Sequence, residues 1–405
     1  MNYSETITWL FNQLPMYQRV GKAAYKADLS NTVLLADHLG NPESSFKSVH
    51  IAGTNGKGST SHMLAAILQH AGYKVGLYTS PHLKDFRERI RINGDMIQKE
   101  FVTGFIGLHR EFFEENSLSF FEMTVGLAFE YFRDEEVDIA VIEVGLGGRL
   151  DSTNIITPEV SVITNIGFDH MNFLGNTLEE IAIEKAGIIK EGVPVVIGEI
   201  QKETRYVFEQ VAEQNLAPIC FAEEQDLPNY KTDLRGAYQQ KNLRTTLAII
   251  RVMRELHWNI PIDAAEKGLL TVSQTTGLRG RWEIIEDKPK VICDTAHNRE
   301  GLEMALEQLR AEQYEKLFIV LGVVDDKDLE PILPLFPGDA VYHFCKPDVP
   351  RGMDAKKLKL KAAEFKLFGE AFNSVKEALR SALEKAGKED VIYVGGSTFT
   401  VAEVI

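Results

Sequence analysis

At 405 residues, with 44% hydrophobic and 25% charged residues and a formal net charge of −15, the chain has the size for two or three domains and an ordinary globular composition. The acidic balance speaks against a nucleic-acid backbone or an anionic membrane surface as partner, since both need clustered cations, and no apolar run approaches the ~18 residues of a membrane span. The N-terminus MNYSETITWLFNQLP lacks the basic stretch and apolar core of a targeting signal, and three widely spaced cysteines (Cys220, Cys293, Cys345) suit a reducing compartment, so a cytoplasmic monomer is expected.

In chain order, short β-branched runs alternate with helical patterns almost from end to end, which predicts an α/β fold with parallel sheets and crossover helices. KSVHIA, YKVGLY, DIAVIEV, EVSVITN and VPVVIG read as buried strands, separated by helical segments such as STSHMLAAILQHAG and TLEEIAIEKAGIIK. The glycine- and arginine-punctuated TTGLRGRWEII reads as a hinge. After it the alternation restarts with KVICD, KLFIVLG, AVYHFC and DVIYVGG as strands and GLEMALEQLR and SVKEALRSALEKAG as helices. The expected division is residues 1–282, a P-loop-type, mostly parallel sheet with helices on both faces, and 283–405, a smaller Rossmann-like α/β unit.

HIAGTNGKGST, His50 to Thr60, runs from a buried strand through a glycine-rich turn into a helix, an order that suits phosphate. Gly53, Gly56 and Gly58 let backbone N–H groups curl around an anion, Lys57 adds a point charge, and Ser59 and Thr60 offer hydroxyls. Ile51 stands where the general G-x-x-x-x-G-K-[ST] pattern has its first glycine, and Gly58 follows the lysine directly. Glu143, ending the strand DIAVIE, lies where ligands sit in open α/β sheets, although a solvated charge fits its periodicity equally. His170 follows Gly167 and Asp169 in a strand-end turn. Lys185 reads, from its helix alone, as an exposed lysine, and Phe120–Phe121 as a pair opening a helix and packing in a core. GLGGRLDSTN, with Arg149, Leu150, Asp151 and Ser152, reads as a loop approaching a ligand closely or as a structural turn.

G-T-N-G-K-G-S resembles the phosphate loop of the Mur ligase superfamily, specifically its folylpolyglutamate synthase branch. YTSPHLKDFRERIRING, SFFEMT, VIEVGLGGRLDSTN, ITNIGFDH, IAIEKAGIIK and CDTAHN are similar to that branch's blocks, in its order, over about residues 50 to 300. The resemblance implies an ATP-dependent ligase that adds L-glutamate to folates, and to dihydropteroate where the enzyme also makes dihydrofolate, through an acyl phosphate. It implies ATP contacts by Thr54, Asn55, Gly56, Lys57, Gly58, Ser59, Asn242, Arg281 and Asp294. It gives magnesium to Ser80, Glu143 and His170, with a second magnesium held by a carbamylated Lys185. Lys57, His170 and Lys185 become the catalytic set; Ser119, Phe120, Phe121, Glu122, Leu150, Asp151, Ser152 and His297 are expected at the substrates. A carbamylated lysine needs a depressed pKa, hence a partly buried, cation-lined setting.

Two departures from the family pattern stand out. Arg299 follows Asn298 where the family usually has proline, and PMYQRVGKAAYKADL does not closely reproduce the segment with which many members contact the pterin. Other readings are another Mur-type amino-acid ligase and a P-loop nucleotide switch. A peptidoglycan-building ligase would carry an N-terminal nucleotide-binding domain for which the residues before Gly53 are too few, and a guanine switch would carry an N-K-x-D base reader, which is absent.

Overall fold

The computed structural model describes residues 1–12, 28–325 and 327–405. Most of the PMYQRVGKAAYKADL segment therefore lies outside the described residues. The chain forms two compact units: Met1–Asp233 with Lys241–Gly277, and Leu234–Gln240 with Leu278–Ile405. Among the described residues, no helix is long and apolar enough to cross a membrane.

The first unit holds an eight-stranded sheet built from β1 (Lys47–Ala52), β2 (Val75–Tyr78), β3 (Ile90–Ile92), β4 (Asp95–Met96), β5 (Ile139–Glu143), β6 (Val160–Ile163), β7 (Val195–Ile197) and β8 (Ile219–Phe221), in the order β4-β3-β2-β5-β1-β6-β7-β8. Six strands are parallel, and β3 and β4 add an antiparallel edge. The continuous apolar runs of β1, β5 and β6 follow from burial on both faces. Ala140 and Ile142 face a cluster built with Phe105, Phe113, Phe129 and Phe132 from the helices Lys99–Glu115 and Phe120–Asp134. Residues alternate across a strand, so the other face takes the helix Lys57–His70, whose residues 59 to 68 are all buried. There Gly268 of the helix Ile262–Leu270 lets the two helices touch, because a Cβ at Gly268 would stand 2.6 Å from the Ile67 Cα.

The second unit is a six-stranded sheet of β9 (Glu283–Asp287), β10 (Lys290–Cys293), β11 (Leu317–Gly322), β12 (Val341–Cys345), β13 (Gly369–Phe372) and β14 (Val391–Gly395), ordered β13-β12-β11-β14-β10-β9. Only β9 is antiparallel to its neighbour. Trp282, Leu306, Ile319, Tyr342 and Tyr393 anchor its core. The mixed α/β class with a mostly parallel main sheet and a smaller second sheet is thus observed. β3, β4, β8, β9 and β13, which sit at or beside sheet edges, are not among the strands expected from the apolar runs.

Candidate active site

Strand register assembles the first unit's candidate residues. Ile51 pairs with Glu143, Tyr78 with Ile142 and Ala52 with Ile163, so the segments leaving β1, β2, β5 and β6 emerge at one edge, the C-terminal edge where α/β sheets hold ligands. The segment leaving β1 is the glycine loop. Gly53 (φ +146°) and Gly56 (φ +84°) occupy backbone conformations that side chains rarely adopt. Space forbids a side chain as well: a Cβ at Gly53 would lie 1.8 Å from Thr164 Oγ1, and one at Gly56 2.2 Å from Asn242 Oδ1. Asn242, buried in the helix Gln239–Glu255, therefore packs directly on the loop. The segment leaving β6 braces it further. Thr54 N donates to Asn165 O at 2.9 Å, Asn55 N to Asn165 Oδ1 at 2.9 Å, and Thr164 Oγ1 to Asn55 O at 2.6 Å. Thr164 and Asn165 were not among the expected residues, although I-T-N directly after a buried strand marks the position.

Gly56 caps the helix Lys57–His70, so its first N–H groups and dipole face the loop. Lys57 Nζ donates to Gly53 O at 2.9 Å and to Thr54 O at 3.2 Å. Gly58 and Ser59 follow in the first turn, and the buried Thr60 hydroxyl has no hydrogen-bond partner.

Lys185 is the largest departure from the reading of its helix alone. It is 4% exposed, and its Nζ donates to the same Gly53 O at 3.0 Å. Burial first, then the neighbouring Lys57 charge, push its pKa down to about 7, with Asp169 and Asp151 opposing. Against an ordinary value of 10.5, that difference corresponds to roughly 5 kcal/mol disfavouring the ammonium form. The Gly145–Asn154 loop packs against the end of the helix Leu178–Ala186 that carries Lys185. Cβ atoms at Gly148 and Gly187 would meet Lys185 O at 2.9 Å and Arg149 Cβ at 2.3 Å, so two glycines permit the approach. Arg149 Nη2 pairs with Glu184 at 2.7 Å, and Asn154 Nδ2 donates to Arg149 O and Gly187 O.

Of the three expected metal ligands, Glu143 and Ser80 are brought together. Glu143 is 4% exposed and accepts the Ser80 N–H at 3.2 Å. His170 enters on the loop after β6, with a side chain 39% exposed and a positive φ of 51°. Among the described residues no group of three His, Cys, Asp or Glu side chains could hold a metal by itself. The Glu143 carboxylate and the Ser80 hydroxyl offer the hard oxygen donors that magnesium takes, an ion that needs only one or two protein carboxylates and completes its shell with phosphate oxygens and water, whereas His170 would add a nitrogen.

Ser119 and Glu122 form a reciprocal cap at the start of the helix Phe120–Asp134. Ser119 N donates to Glu122 Oε2 at 2.6 Å, and Glu122 N to Ser119 Oγ at 3.2 Å. Phe120 is buried, stacked on Phe11 at 5.2 Å with the Arg89 guanidinium 5.1 Å from its ring centre. Phe121 is half-buried, edge-on to Tyr78 at 6.3 Å and pressed against Gly145. Arg89, itself buried, donates from Nε to His82 Nδ1 at 2.7 Å. Leu150 is half-buried, and Ser152 and Asp151 are buried. The Asp151 carboxylate turns into its own loop, accepting N–H groups of Leu146 and Thr153. Burial raises the Asp151 pKa, with the Thr153 hydroxyl and these N–H groups opposing.

The second unit carries Arg281, Asp294 and His297. Asp294, 1% exposed at the end of β10, accepts from Tyr238 OH at 2.7 Å, Trp282 N at 2.8 Å and Ala296 N at 2.8 Å. Burial raises its pKa against these bonds. Arg281 is half-buried, and His297 Nδ1 lies 3.0 Å from Thr295 O. Asn298 caps the helix Arg299–Ala311 through Gly301 N. Arg299 is the first helical residue, where proline is favoured because no N–H is needed, so arginine substitutes there without disturbing the cap.

The Mur ligase middle domain matches residues 51–261, and the Mur ligase glutamate ligase domain matches residues 280–398. The dihydrofolate synthase/folylpolyglutamate synthase of Bacillus subtilis is 34% identical over 99% of this chain and 98% of its own. The solved structure of Escherichia coli FolC in complex with DHPP and ADP superposes with a TM-score of 0.84 at 29% identity, covering 98% of this chain and 96% of the other. A bifunctional folylpolyglutamate synthase/dihydrofolate synthase with Mn, AMPPNP and L-glutamate bound gives a TM-score of 0.83 at 29% identity, covering 100% and 97%. With this fold, these blocks and coverage of both domains, the chain belongs to the Mur ligase family, in its group of folylpolyglutamate and dihydrofolate synthases.

Proposed function

We propose that the chain uses ATP to join L-glutamate to the carboxylate of a folate, extending polyglutamate tails, and to that of dihydropteroate, making dihydrofolate. The observation that carries the reading is the convergence on Gly53 O of two lysine Nζ atoms, beside a buried Glu143 at the same sheet edge. Lys57 and the N-terminus of its helix concentrate positive potential there in a chain of net charge −15, which a reaction among anions demands, while Lys185, its pKa lowered, is the reactive amine. Residues 1–282 would carry ATP and residues 283–405 the glutamate-ligase part. The enzyme acts as a monomer in the cytoplasm, a compartment its three free cysteines suit.

A carboxylate oxygen of the acceptor attacks the γ-phosphorus of ATP, the bond to the β-γ bridging oxygen breaks, and ADP leaves. The glutamate amine then attacks the acyl phosphate carbon, and phosphate departs as the amide forms and the amine loses its protons. Lys57 and the N–H groups of Gly56, Gly58 and Ser59 hold the phosphates in line, with Thr54 and Asn55 completing the loop around them. Their fixed charges and dipoles stabilise the transferring group without reorganisation. Magnesium held through Ser80, Glu143 and His170 would neutralise phosphate charge, and Lys185, once carbamylated, would hold a second. With its pKa lowered to about 7, Lys185 has a far larger neutral fraction at neutral pH than an ordinary lysine, so its nitrogen can add to carbon dioxide with release of a proton. In this reading Asn242 completes the nucleotide contacts of the first unit, with Phe121, Leu150 and Ser152 on the acceptor side and Ser119, Phe120, Glu122 and Asp151 shaping its wall, and the second unit offers Arg281, Asp294 and His297 as its own candidates for nucleotide and substrate.

The test is ADP release from ATP and magnesium with glutamate, comparing dihydropteroate with tetrahydrofolate as acceptor and weighing each product. Turnover of both supports the full reading, and turnover of tetrahydrofolate alone confines it to polyglutamylation. No turnover of either would overturn it.

A further inference from the structure

A buried hydrogen-bonded chain runs behind the Gly145–Asn154 loop and is used by none of the steps above. His50 lies on β1, shortly before the glycine loop, and is fully buried with Nε2 2.8 Å from the Thr153 hydroxyl. Thr153, also fully buried, gives its single hydroxyl proton to Asp151 Oδ1. The same carboxylate takes Thr153 N at 3.0 Å and Leu146 N at 2.8 Å, so it ties both halves of the loop together.

Proton count fixes the direction of the chain. With the hydroxyl proton given to the carboxylate, His50 donates from Nε2, and Nδ1 must be the bare nitrogen. Nδ1 is indeed buried with no hydrogen-bond partner. Burial, with Lys190 adding to it, pushes the imidazole pKa down to about 3, so this donor keeps one charge state across the neutral range. An unpartnered buried nitrogen carries a desolvation cost that valine, filling a central parallel strand, would not. The histidine is explained by what its other nitrogen holds.

We propose that His50 and Thr153 are positioning residues for the acceptor: they lock the Gly145–Asn154 loop, through Asp151, in register with the strand that carries the phosphate loop. The inference rests on the ligase reading above. An acceptor bound against this loop is thereby set toward the γ-phosphate of ATP, and displacement of a reacting group by ~1 Å can cost about 10²-fold in rate. β1 acts as the common ruler, since its end forms the glycine loop while His50 fixes the neighbouring loop from within the sheet.

The experiment measures steady-state kinetics and melting temperature for Thr153→Val, Thr153→Ser, His50→Leu and His50→Gln, with tetrahydrofolate and ATP varied in turn. Thr153→Val and His50→Leu are expected to lower kcat/KM for tetrahydrofolate about 10- to 100-fold while the KM for ATP stays within about twofold. Thr153→Ser and His50→Gln, which keep a hydroxyl and an N–H donor, recover most of the loss. Acceptor kinetics unchanged in Thr153→Val overturns the proposal, as does a parallel fall for ATP and acceptor that the conservative variants do not rescue. Should His50→Leu fail to fold, the near-isosteric Thr153→Val and Thr153→Ser pair decides alone. An inactive wild-type enzyme would defeat the ligase reading instead, and so is told apart from failure of the relay.

Discussion

The two units end a central strand in different ways. At the end of β1, two lysine side-chain nitrogens share one carbonyl, two glycines hold left-handed or sterically exclusive conformations, and a buried threonine hydroxyl goes unpartnered. At the end of β10, Asp294 takes three donors and Asn298 caps the next helix, so the polar groups of the turn satisfy one another. The first arrangement is unfavourable in itself and becomes favourable when anions and metal supply the missing partners. The second is a self-sufficient brace. Substitutions at the first should cost activity before stability, and substitutions at the second should cost stability first.

The largest expected effect breaks the first site. Lys57→Ala should lower ADP release at least about 10²–10³-fold, the range for removing one transition-state donor, while the melting temperature holds or rises, because the neighbouring charge that adds to the burial cost of Lys185 is gone. A folded, active variant, seen in parallel assays of turnover and melting, would contradict the assignment of the glycine loop. At the second site, Asp294→Ala strands Tyr238 OH, Trp282 N and Ala296 N. At about 1–3 kcal/mol for each unsatisfied group, partly relieved by relaxation, a loss of roughly 3–5 kcal/mol in denaturant unfolding is expected. Unchanged stability would show that the brace is not what holds the turn.

Lys185 sharpens the comparison through pH. Its folded pKa, about 7, is below the unfolded value near 10.5, so between these values the unfolded chain binds a proton that the native chain does not. In carbon-dioxide-free buffer, stability from this group therefore rises with pH across about 7 to 10.5 and is missing below 7. Lys185→Met should remove that slope, as urea unfolding at several pH values would reveal. Activity should be lower in carbon-dioxide-free buffer, recover with bicarbonate, and recover less as pH falls below about 7 and the amine protonates. A native mass spectrum with bicarbonate that shows unmodified lysine would sink the carbamate. The smallest effect lies away from both strand ends: Ser119→Ala should cost about 1 kcal/mol of stability through the lost cap, read as a modest shift in unfolding midpoint.

The parallel strands were legible because burial on both faces writes continuous apolar runs, and KSVHIA is observed residue for residue as β1. The short strands β3, β4, β8, β9 and β13 lack such runs, as the half-exposed Glu-Ile-Ile-Glu-Asp of β9 shows. The glycine loop was legible because strand, turn, lysine and helix are contiguous. Lys185 was not, since its surroundings come from residues distant in sequence, with Gly53 O at its amine and Gly148 against its backbone. The S-x-x-E of Ser119 and Glu122 carries a capping signature that pocket residues obscured, and the inward turn of Asp151 depends on Thr153 and His50, a contact across a hundred residues that no local pattern records.

The most direct test of the central claim, that this site activates an acceptor carboxylate by phosphorylating it, follows oxygen. Tetrahydrofolate labelled with oxygen-18 in its glutamate carboxylates is turned over with ATP and unlabelled glutamate, and the released phosphate is weighed. The account predicts one labelled oxygen in each phosphate, transferred as the acyl phosphate breaks down. Unlabelled phosphate formed alongside a glutamylated product would contradict it.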